Sequence, residues 1–345
     1  MNIVITNSPG EYSIQLAKEF TKRGHTVKFA QFSLRHPFHF IREFQNADII
    51  HVNYACHGLK PLVINKFFGI PYIFTVHGVG AKDLLKYEYG LSKKVDFFHV
   101  IEHKLTSLIS RNARAVISIS QFAASRLKKN YGIKTYTVYH GVDLNKFNPS
   151  ISGRYIRKKL GLKNNPVMLW VGRFIPWKDP FTFLNAIPLI LPKYPSAKFI
   201  MLGEGPLKLN IKSFVKNSPQ LRSSVIFPAF AEKINEYYAA ANVFAFTSIC
   251  EGFGYVLTEA MACGIPVVAS NQGSPPEVVG DAGLFFQTGD SNDLSQKILT
   301  VLSDKALARK MGQKGRKRVE RRFRWDICAR QIMNIYNKAL VQEKK

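Results

Sequence analysis

The sequence predicts an α/β protein of two consecutive domains, each a mainly parallel sheet wrapped by helices. Three observations predict it. Short apolar runs alternate with helical stretches along the chain. A polar, basic segment at 148–166, NPSISGRYIRKKLGLKNNP, interrupts that alternation and reads as a linker. The length of 345 residues is too great for one small core and suits two domains of about 150 residues.

The elements follow in order. Asn2 to Thr6 reads as a strand and Asn7-Ser8-Pro9-Gly10 as a turn. Glu11 to Arg23 reads as a helix carrying Ile14, Leu16, Ala17 and Phe20, stopped by Gly24, and Thr26 to Ala30 as the next strand. Strand candidates continue at 49–52, 72–76, 115–119 and 137–139. After the linker a second series begins at 167–171, with further strands at 198–202, 224–227, 243–247 and 267–270. Helices are expected at 234–241, 255–263, 294–302 and 325–345. In such sheets ligands sit beyond the carboxyl ends of the strands, and two facing domains make a cleft.

Composition narrows the classes. Hydrophobic residues at 46% and aromatics at 12% exclude disordered and fibrous chains. The formal charge of +26 calls for an anionic partner: nucleic acid, a membrane surface or a phosphorylated substrate. Both halves are basic, and one dense cluster, Lys305 to Arg324, sets ten basic residues against Glu320 alone. All nine histidines precede residue 151, so the second half has no histidine base or metal ligand. Cys56, Cys250, Cys263 and Cys328 are scattered without a CxxC pair, which fits a reducing cytosol. No apolar run approaches the ~20 residues of a membrane span, and the N-terminus lacks the pattern of a signal peptide. The expected location is cytoplasmic, with the inner face of the cell membrane as a candidate peripheral site.

The strongest chemical segment is 247–283, TSICEGFGYVLTEAMACGIPVVASNQGSPPEVVGDAG. A glycine-rich loop, Glu251-Gly252-Phe253-Gly254, lies between a strand and a helix opening at Tyr255 and Val256. Backbone amides can there approach a ligand closely, and the helix dipole favours an anion. Glu251 at the loop and Glu259 within the helix could hold ligand hydroxyls on either side of that anion; the plain alternative for Glu259 is a solvent-facing helix residue. Arg173 and Lys178, in VGRFIPWKD, follow the first strand of the second domain, where a planar fork and a mobile point charge suit phosphate oxygens; the plain alternative is two surface charges. Gly203-Glu204-Gly205-Pro206 follows the next strand, but a GxG alone reads more readily as a turn.

Taken together, these segments resemble the family 4 glycosyltransferases, retaining enzymes with the two Rossmann-like domains of the GT-B architecture. The resemblance rests on the pair Glu251 and Glu259 inside EGFGYVLTEAMACGIPVVAS, on SPPEVVGDAGLFF, on VGR...K, on LGEGP and on HGVDLNKFNP at 140–149. It implies a nucleotide-sugar donor bound by the second domain (151–326), and an acceptor-binding first domain (1–150) completed by the C-terminal helix 327–345. It implies that Arg173 and Lys178 bind the donor diphosphate and that Glu251 faces the donor sugar. Amides of Gly252, Phe253, Gly254, Tyr255 and Val256 would hold sugar and phosphate oxygens, and Glu259 the ribose. Gly203, Glu204, Ala229 and Phe230 would line the donor pocket; Ala229 stands where the family often has glycine, which puts the base in doubt. His77, in TVHG, would lie near sugar and acceptor, and the turn Ser8-Pro9-Gly10 on the acceptor side would close on the phosphates. His140 replaces a common asparagine, and nothing in the sequence explains it.

The implied chemistry needs no metal or other cofactor. The leaving nucleoside diphosphate is a good one, two cations and a helix N-terminus can carry its charge, and the chain has no DxD. A retaining glycosidase would set two carboxylates about 5–5.5 Å apart across the bond, which one glutamate at the sugar and one at the ribose do not provide. Stretches 32–44 and 82–111 mix basic and apolar residues, as does a helix lying in a membrane interface or one merely packed. A glycan or lipid-linked acceptor and an anionic membrane are therefore the expected partners. The alternatives are a nucleotide-sugar epimerase of similar fold and a nucleic-acid-binding protein. The latter lacks a recognisable binding module, so no nucleic acid is expected. Sugar, base, acceptor, linkage and oligomeric state stay open.

Overall fold

The computed structural model describes residues 1–6, 10–30, 39–78, 93–228 and 233–341. The chain falls into two compact units, Met1–Gly141 with Arg324–Lys345, and Val142–Phe323.

In the first unit, β1 (Asn2–Thr6), β2 (Thr26–Ala30), β3 (Ile49–Val52), β4 (Tyr72–Val76), β5 (Ala115–Ser118) and β6 (Tyr136–Thr137) form one parallel sheet, ordered β2-β1-β3-β4-β5-β6. The strand candidate at 137–139 thus begins one residue earlier and is shorter. Helices α1 (Glu11–Lys22), α2 (His39–Phe44), α3 (Leu59–Phe68), α4 (Lys93–Asn112) and α5 (Gln121–Tyr131) and the C-terminal helix (Trp325–Val341) accompany it. Side chains alternate across the strands. Ile3, Ile5, Ile49, Ile73 and Ile117 pack with Leu16 and Phe20 of α1 and with Ile332 and Tyr336 of the C-terminal helix. Val4, Ile50, Phe74 and Val116 pack on the other face with Ile64, Ile109 and Leu127. Both faces are covered, which is why β3 and β4 are buried at every residue and read as apolar runs interrupted only by His51 and Thr75. The order reverses between β1 and β3, and loops at that switch point open a ligand crevice in this class of sheet.

The second unit repeats the scheme with β7 (Val167–Val171), β8 (Lys198–Leu202), β9 (Val225–Ile226), β10 (Val243–Phe246), β11 (Val267–Ser270) and β12 (Gly283–Phe286). The sheet is parallel, ordered β12-β11-β10-β7-β8-β9, so its switch point lies between β7 and β10. Its helices are α6 (Arg154–Lys159), α7 (Pro180–Ile190), α8 (Lys208–Asn217), α9 (Pro219–Ser224), α10 (Ile234–Ala240), α11 (Tyr255–Ala262), α12 (Pro275–Val279), α13 (Ser291–Ser303) and α14 (Lys305–Arg322). Met168, Trp170, Phe183, Ile187, Phe199, Ala245 and Ile298 belong to the core.

Two segments differ from the sequence reading. The stretch 148–166 is not a bare linker, because α6 lies within it. Ile156 is buried, and a Cβ on Gly153 would stand 2.4 Å from the Ala240 nitrogen. One apolar anchor in six residues leaves no periodicity to read. The basic cluster at 305–322 is a continuous helix whose buried Met311, Gly312, Gly315 and Val319 face the unit at helical spacing. Glycine is needed at 312, since a Cβ there would stand 2.1 Å from the Gly264 carbonyl oxygen. Two glycines thus thin the apolar stripe, Met311 and Val319, that would have marked this helix.

Candidate active site

The second sheet's switch point builds the site. β7 runs out into Gly172 and exposed Arg173, then into a 3-10 turn, Pro176–Lys178. β10 runs out into Thr247 and the glycine-rich loop. These two loops are tied together. Trp170 Nε1 donates to Thr247 Oγ1 at 2.9 Å, and the single proton of that hydroxyl is shared between the carbonyls of Lys178 and Asp179 at 2.9 and 2.7 Å. Ser248 Oγ and the Ile249 amide both donate to the Trp177 carbonyl. Asp179 has a φ of +45°, and its carboxylate caps α7 through the Thr182 amide and hydroxyl. Burial raises its carboxyl pKa above the usual range.

The result is a direct ion pair between Lys178 Nζ and Glu251 Oε2, with only 19% and 15% of the two side chains exposed. Glu251 Oε1 also accepts from the Gly252 amide at 3.2 Å. The Glu251 backbone is gripped by the loop after β11, where the Ser274 amide donates to its carbonyl at 3.2 Å. Gly254, at a φ of +85°, turns the chain into α11, whose N-terminus begins at exposed Tyr255 and half-buried Val256. Phe253 is buried and packs edge-on against Phe323 at 5.6 Å.

Glu259 lies one turn into α11 and is half-buried. The buried Tyr238 hydroxyl, from α10, donates to its Oε2 at 2.8 Å. Burial, and next the Glu259 charge, push the Tyr238 phenol well above its usual pKa, so it stays a donor. Gly203 and Gly205 are spaced for backbone contact: a Cβ on either would stand 1.8 Å from the Gly172 oxygen or 2.5 Å from the Phe174 oxygen. The Phe174 amide donates to the Glu204 carbonyl at 2.8 Å. The Glu204 side chain is exposed and pairs with Lys208 at 2.6 Å. Ala229 and Phe230 lie outside the described residues, as do Ser8 and Pro9.

At the first sheet's switch point, Gly10 is exposed and opens α1, its carbonyl accepting the Ile14 amide at 3.0 Å. His77 sits one residue beyond β4, with Nε2 3.3 Å from Asn53 Oδ1, while Asn53 Nδ2 donates to Ser13 Oγ at 2.9 Å. The Tyr12 ring meets the rings of His77 and His140 at 4.5 and 4.6 Å. Burial holds the His77 imidazole at about 4, so it is neutral near pH 7. His140, unexplained in the sequence, is buried in this aromatic cluster with Trp325. Behind it, His51 bridges the Tyr336 hydroxyl and Thr75 Oγ1, the latter at 2.7 Å.

Sequence reasoning missed Thr247, Asp179, Tyr238 and Asn53. Thr247 and Asp179 lie at the ends of the quoted segments and Tyr238 and Asn53 lie outside them, and only hydrogen bonds reveal what each does.

Two family models match the chain, glycosyl transferases group 1 over residues 154–318 and glycosyltransferase family 4 over residues 27–146. The chain belongs to glycosyltransferase family 4 and is a transferase. A Bacillus anthracis relative, N-acetyl-alpha-D-glucosaminyl L-malate synthase, is 26% identical over 310 residues, 88% of this chain and 78% of that one. A Corynebacterium glutamicum relative is 31% identical over 231 residues, 63% of this chain and 60% of that one. It is a GDP-mannose-dependent monoacylated alpha-(1-6)-phosphatidylinositol monomannoside mannosyltransferase. Sucrose-phosphate synthase from Thermosynechococcus elongatus superposes with a TM-score of 0.81 at 24% identity, covering 99% of both chains. The fold is the GT-B architecture of two Rossmann-like domains. The transferase family also decides against the epimerase reading.

Proposed function

We propose that this glycosyltransferase moves a hexosyl unit, with retention and without a metal, from a UDP- or GDP-linked sugar to a glycan or lipid-linked acceptor. The cellular role would be envelope or surface polysaccharide or glycolipid synthesis. The observation that carries the reading is the meeting of Lys178 and Glu251 at the β7/β10 switch point, on the loop that also carries Arg173 and the loop that leads into α11.

In this reading the donor diphosphate takes up the Lys178 and Arg173 charges and the amides that open α11. Glu251, released from its pair, accepts from donor sugar hydroxyls, and Glu259, oriented by Tyr238, accepts from the ribose. The acceptor oxygen attacks the anomeric carbon on the face the diphosphate leaves. The new C–O bond forms as the bond to the phosphate oxygen breaks, and that oxygen keeps the electron pair and takes the acceptor's proton. Preorganised cations at the leaving oxygen lower the barrier without rearranging during the step. His77, neutral, is suited to hydrogen bonding at sugar or acceptor, and the Ser8-Pro9-Gly10 turn belongs to the same side.

A cytoplasmic enzyme peripheral to the inner membrane face is supported by α3 and α4. Gly58 packs against Ile109, setting the two helices side by side. Leu59, Val63 and Phe67, spaced by four along α3, are exposed, with Val100, Ile101 and Leu108 of α4. Lys66, Lys104 and Arg111 are exposed among them, the pattern of an interfacial surface. Among the described residues no helix is long and apolar enough to cross a membrane.

A panel of UDP- and GDP-hexoses screened by thermal shift, followed by NMR of the product's anomeric centre, tests the reaction. An inverted centre overturns retention, and loss of transfer in EDTA overturns metal independence. Failure to sediment with anionic vesicles at low salt overturns the membrane part.

A further inference from the structure

The site at Glu251 uses two cations, and the strongest concentration of charge lies elsewhere in the same unit. A cavity of about 600 Å³ is lined by Lys314, Lys317, Arg318, Arg321 and Arg322 of α14 and by Asp281. The five cations stand at spacings of three, one, three and one, so they share one helical face. They span nine residues, eight steps of about 1.5 Å or about 12 Å of helix rise.

The floor of this cavity is built. Arg318 Nε donates to the Val278 carbonyl at 2.7 Å and Nη2 to the Glu277 carbonyl at 2.8 Å. The guanidinium is thereby locked over the last turn of α12. Gly280, at a φ of +57°, lets the chain pass directly beneath it, for a Cβ there would stand 2.6 Å from Arg318 Cζ. Gly312 and Gly315 seat α14 tightly against Gly264 and Met261. The helix is therefore held in place, with Lys317, Arg321 and Arg322 exposed along the rim. Asp281, paired with Lys314 at 2.8 Å, is the one acid in the lining. Lys317 and Arg321 are exposed beside the fixed Arg318 guanidinium, so the lining is strongly positive and favours an anion.

We propose that this cavity is a second anion site, which takes a multiply charged phosphate group through Lys317, Arg318 and Arg321. A concave lining about a fixed guanidinium fits a discrete phosphate better than a flat charged sheet does, and two clustered phosphates match the length of the stripe. The phosphate could be free or carried on a lipid headgroup. The inference does not rest on the donor reading, because it shares no residue with Arg173, Lys178 or Glu251.

The test is calorimetric titration of inorganic pyrophosphate into the full chain carrying Arg173→Ala, which removes a donor-site cation. A second protein adds Lys317→Ala and Arg321→Ala, two exposed positions whose loss leaves the fold intact. Binding to the first and a weakening of about tenfold or more per lost cation in the second is the expected result. Equal affinity for both proteins, or binding to neither, overturns the site. Vesicles containing phosphatidic acid give the other source: sedimentation lost in the triple variant and competed by pyrophosphate assigns the headgroup. Sedimentation that pyrophosphate does not compete overturns the discrete site in favour of a flat membrane contact. Loss of transfer in Arg173→Ala with pyrophosphate binding retained separates the two readings, whichever of them fails.

Discussion

Lys178 Nζ and Glu251 Oε2 form an ion pair that joins the loop after β7 to the loop after β10, two segments more than seventy residues apart in sequence. The pair lies where Rossmann-like sheets bind ligands, and each side chain is largely buried. Under the proposed function the pair keeps a cation for phosphate and a carboxylate for sugar in one place. We expect Lys178→Ala, Arg173→Ala and Glu251→Ala each to lower kcat/KM by about 10²–10³ or more while the proteins stay folded. Lys178→Ala and Glu251→Ala should combine less than additively, because they share a contact. Steady-state kinetics and circular dichroism check this, and wild-type transfer by both Arg173→Ala and Glu251→Ala would refute the site.

Tyr238→Phe removes one hydrogen bond and leaves the ring packing against Phe244 and Phe147 in place. Glu259 then loses its orienting donor. The expected outcome is a rise of up to about tenfold in the donor KM with kcat little changed, the size of one hydrogen bond. Donor-concentration series on the two proteins read it directly.

Gly203→Ala should destabilise the protein by about 1–3 kcal/mol, as overpacking does. Its Cβ would stand 1.8 Å from the Gly172 carbonyl oxygen, a backbone atom that cannot swing away. Urea midpoints at constant m-value measure the loss. A midpoint within error of wild type would show that the β7 and β8 loops can separate cheaply.

Stability should fall on mild acidification. Burial lowers His51 to about 3 and His77 to about 4 from an ordinary 6.5. The unfolded chain therefore binds these protons first, so stability present above pH 6.5 is lost progressively as pH falls towards 4. Urea midpoints across that window should decline, and His77→Asn should shallow the decline. An unchanged slope in the variant would remove His77 from the titrating set.

The alternation of apolar runs and helices was legible because strands covered on both faces must be largely apolar, as β10 is throughout and β3 and β4 are apart from the hydrogen-bonded His51 and Thr75. Glycine-rich loops at strand ends were legible for the same kind of reason: Gly254 adopts a conformation that other residues resist. The chain order of VGR...K and EGFG, and the glutamate pair, thus marked the family and its transferase class from residues alone. Helix α14 escaped, because Gly312 and Gly315 stand between Met311 and Val319 on its buried face and leave the apolar stripe too sparse to read. What only the tertiary structure decided is which groups meet. Strand order puts β7 beside β10, and that adjacency pairs Lys178 with Glu251. The Tyr238 hydroxyl turns Glu259 from a surface carboxylate into an oriented one, and Arg318 turns part of a basic run into the floor of a cavity. The physical reason is distance: local propensity acts over a few residues, whereas a hydrogen bond between residues 178 and 251 exists only once a sheet has ordered its strands.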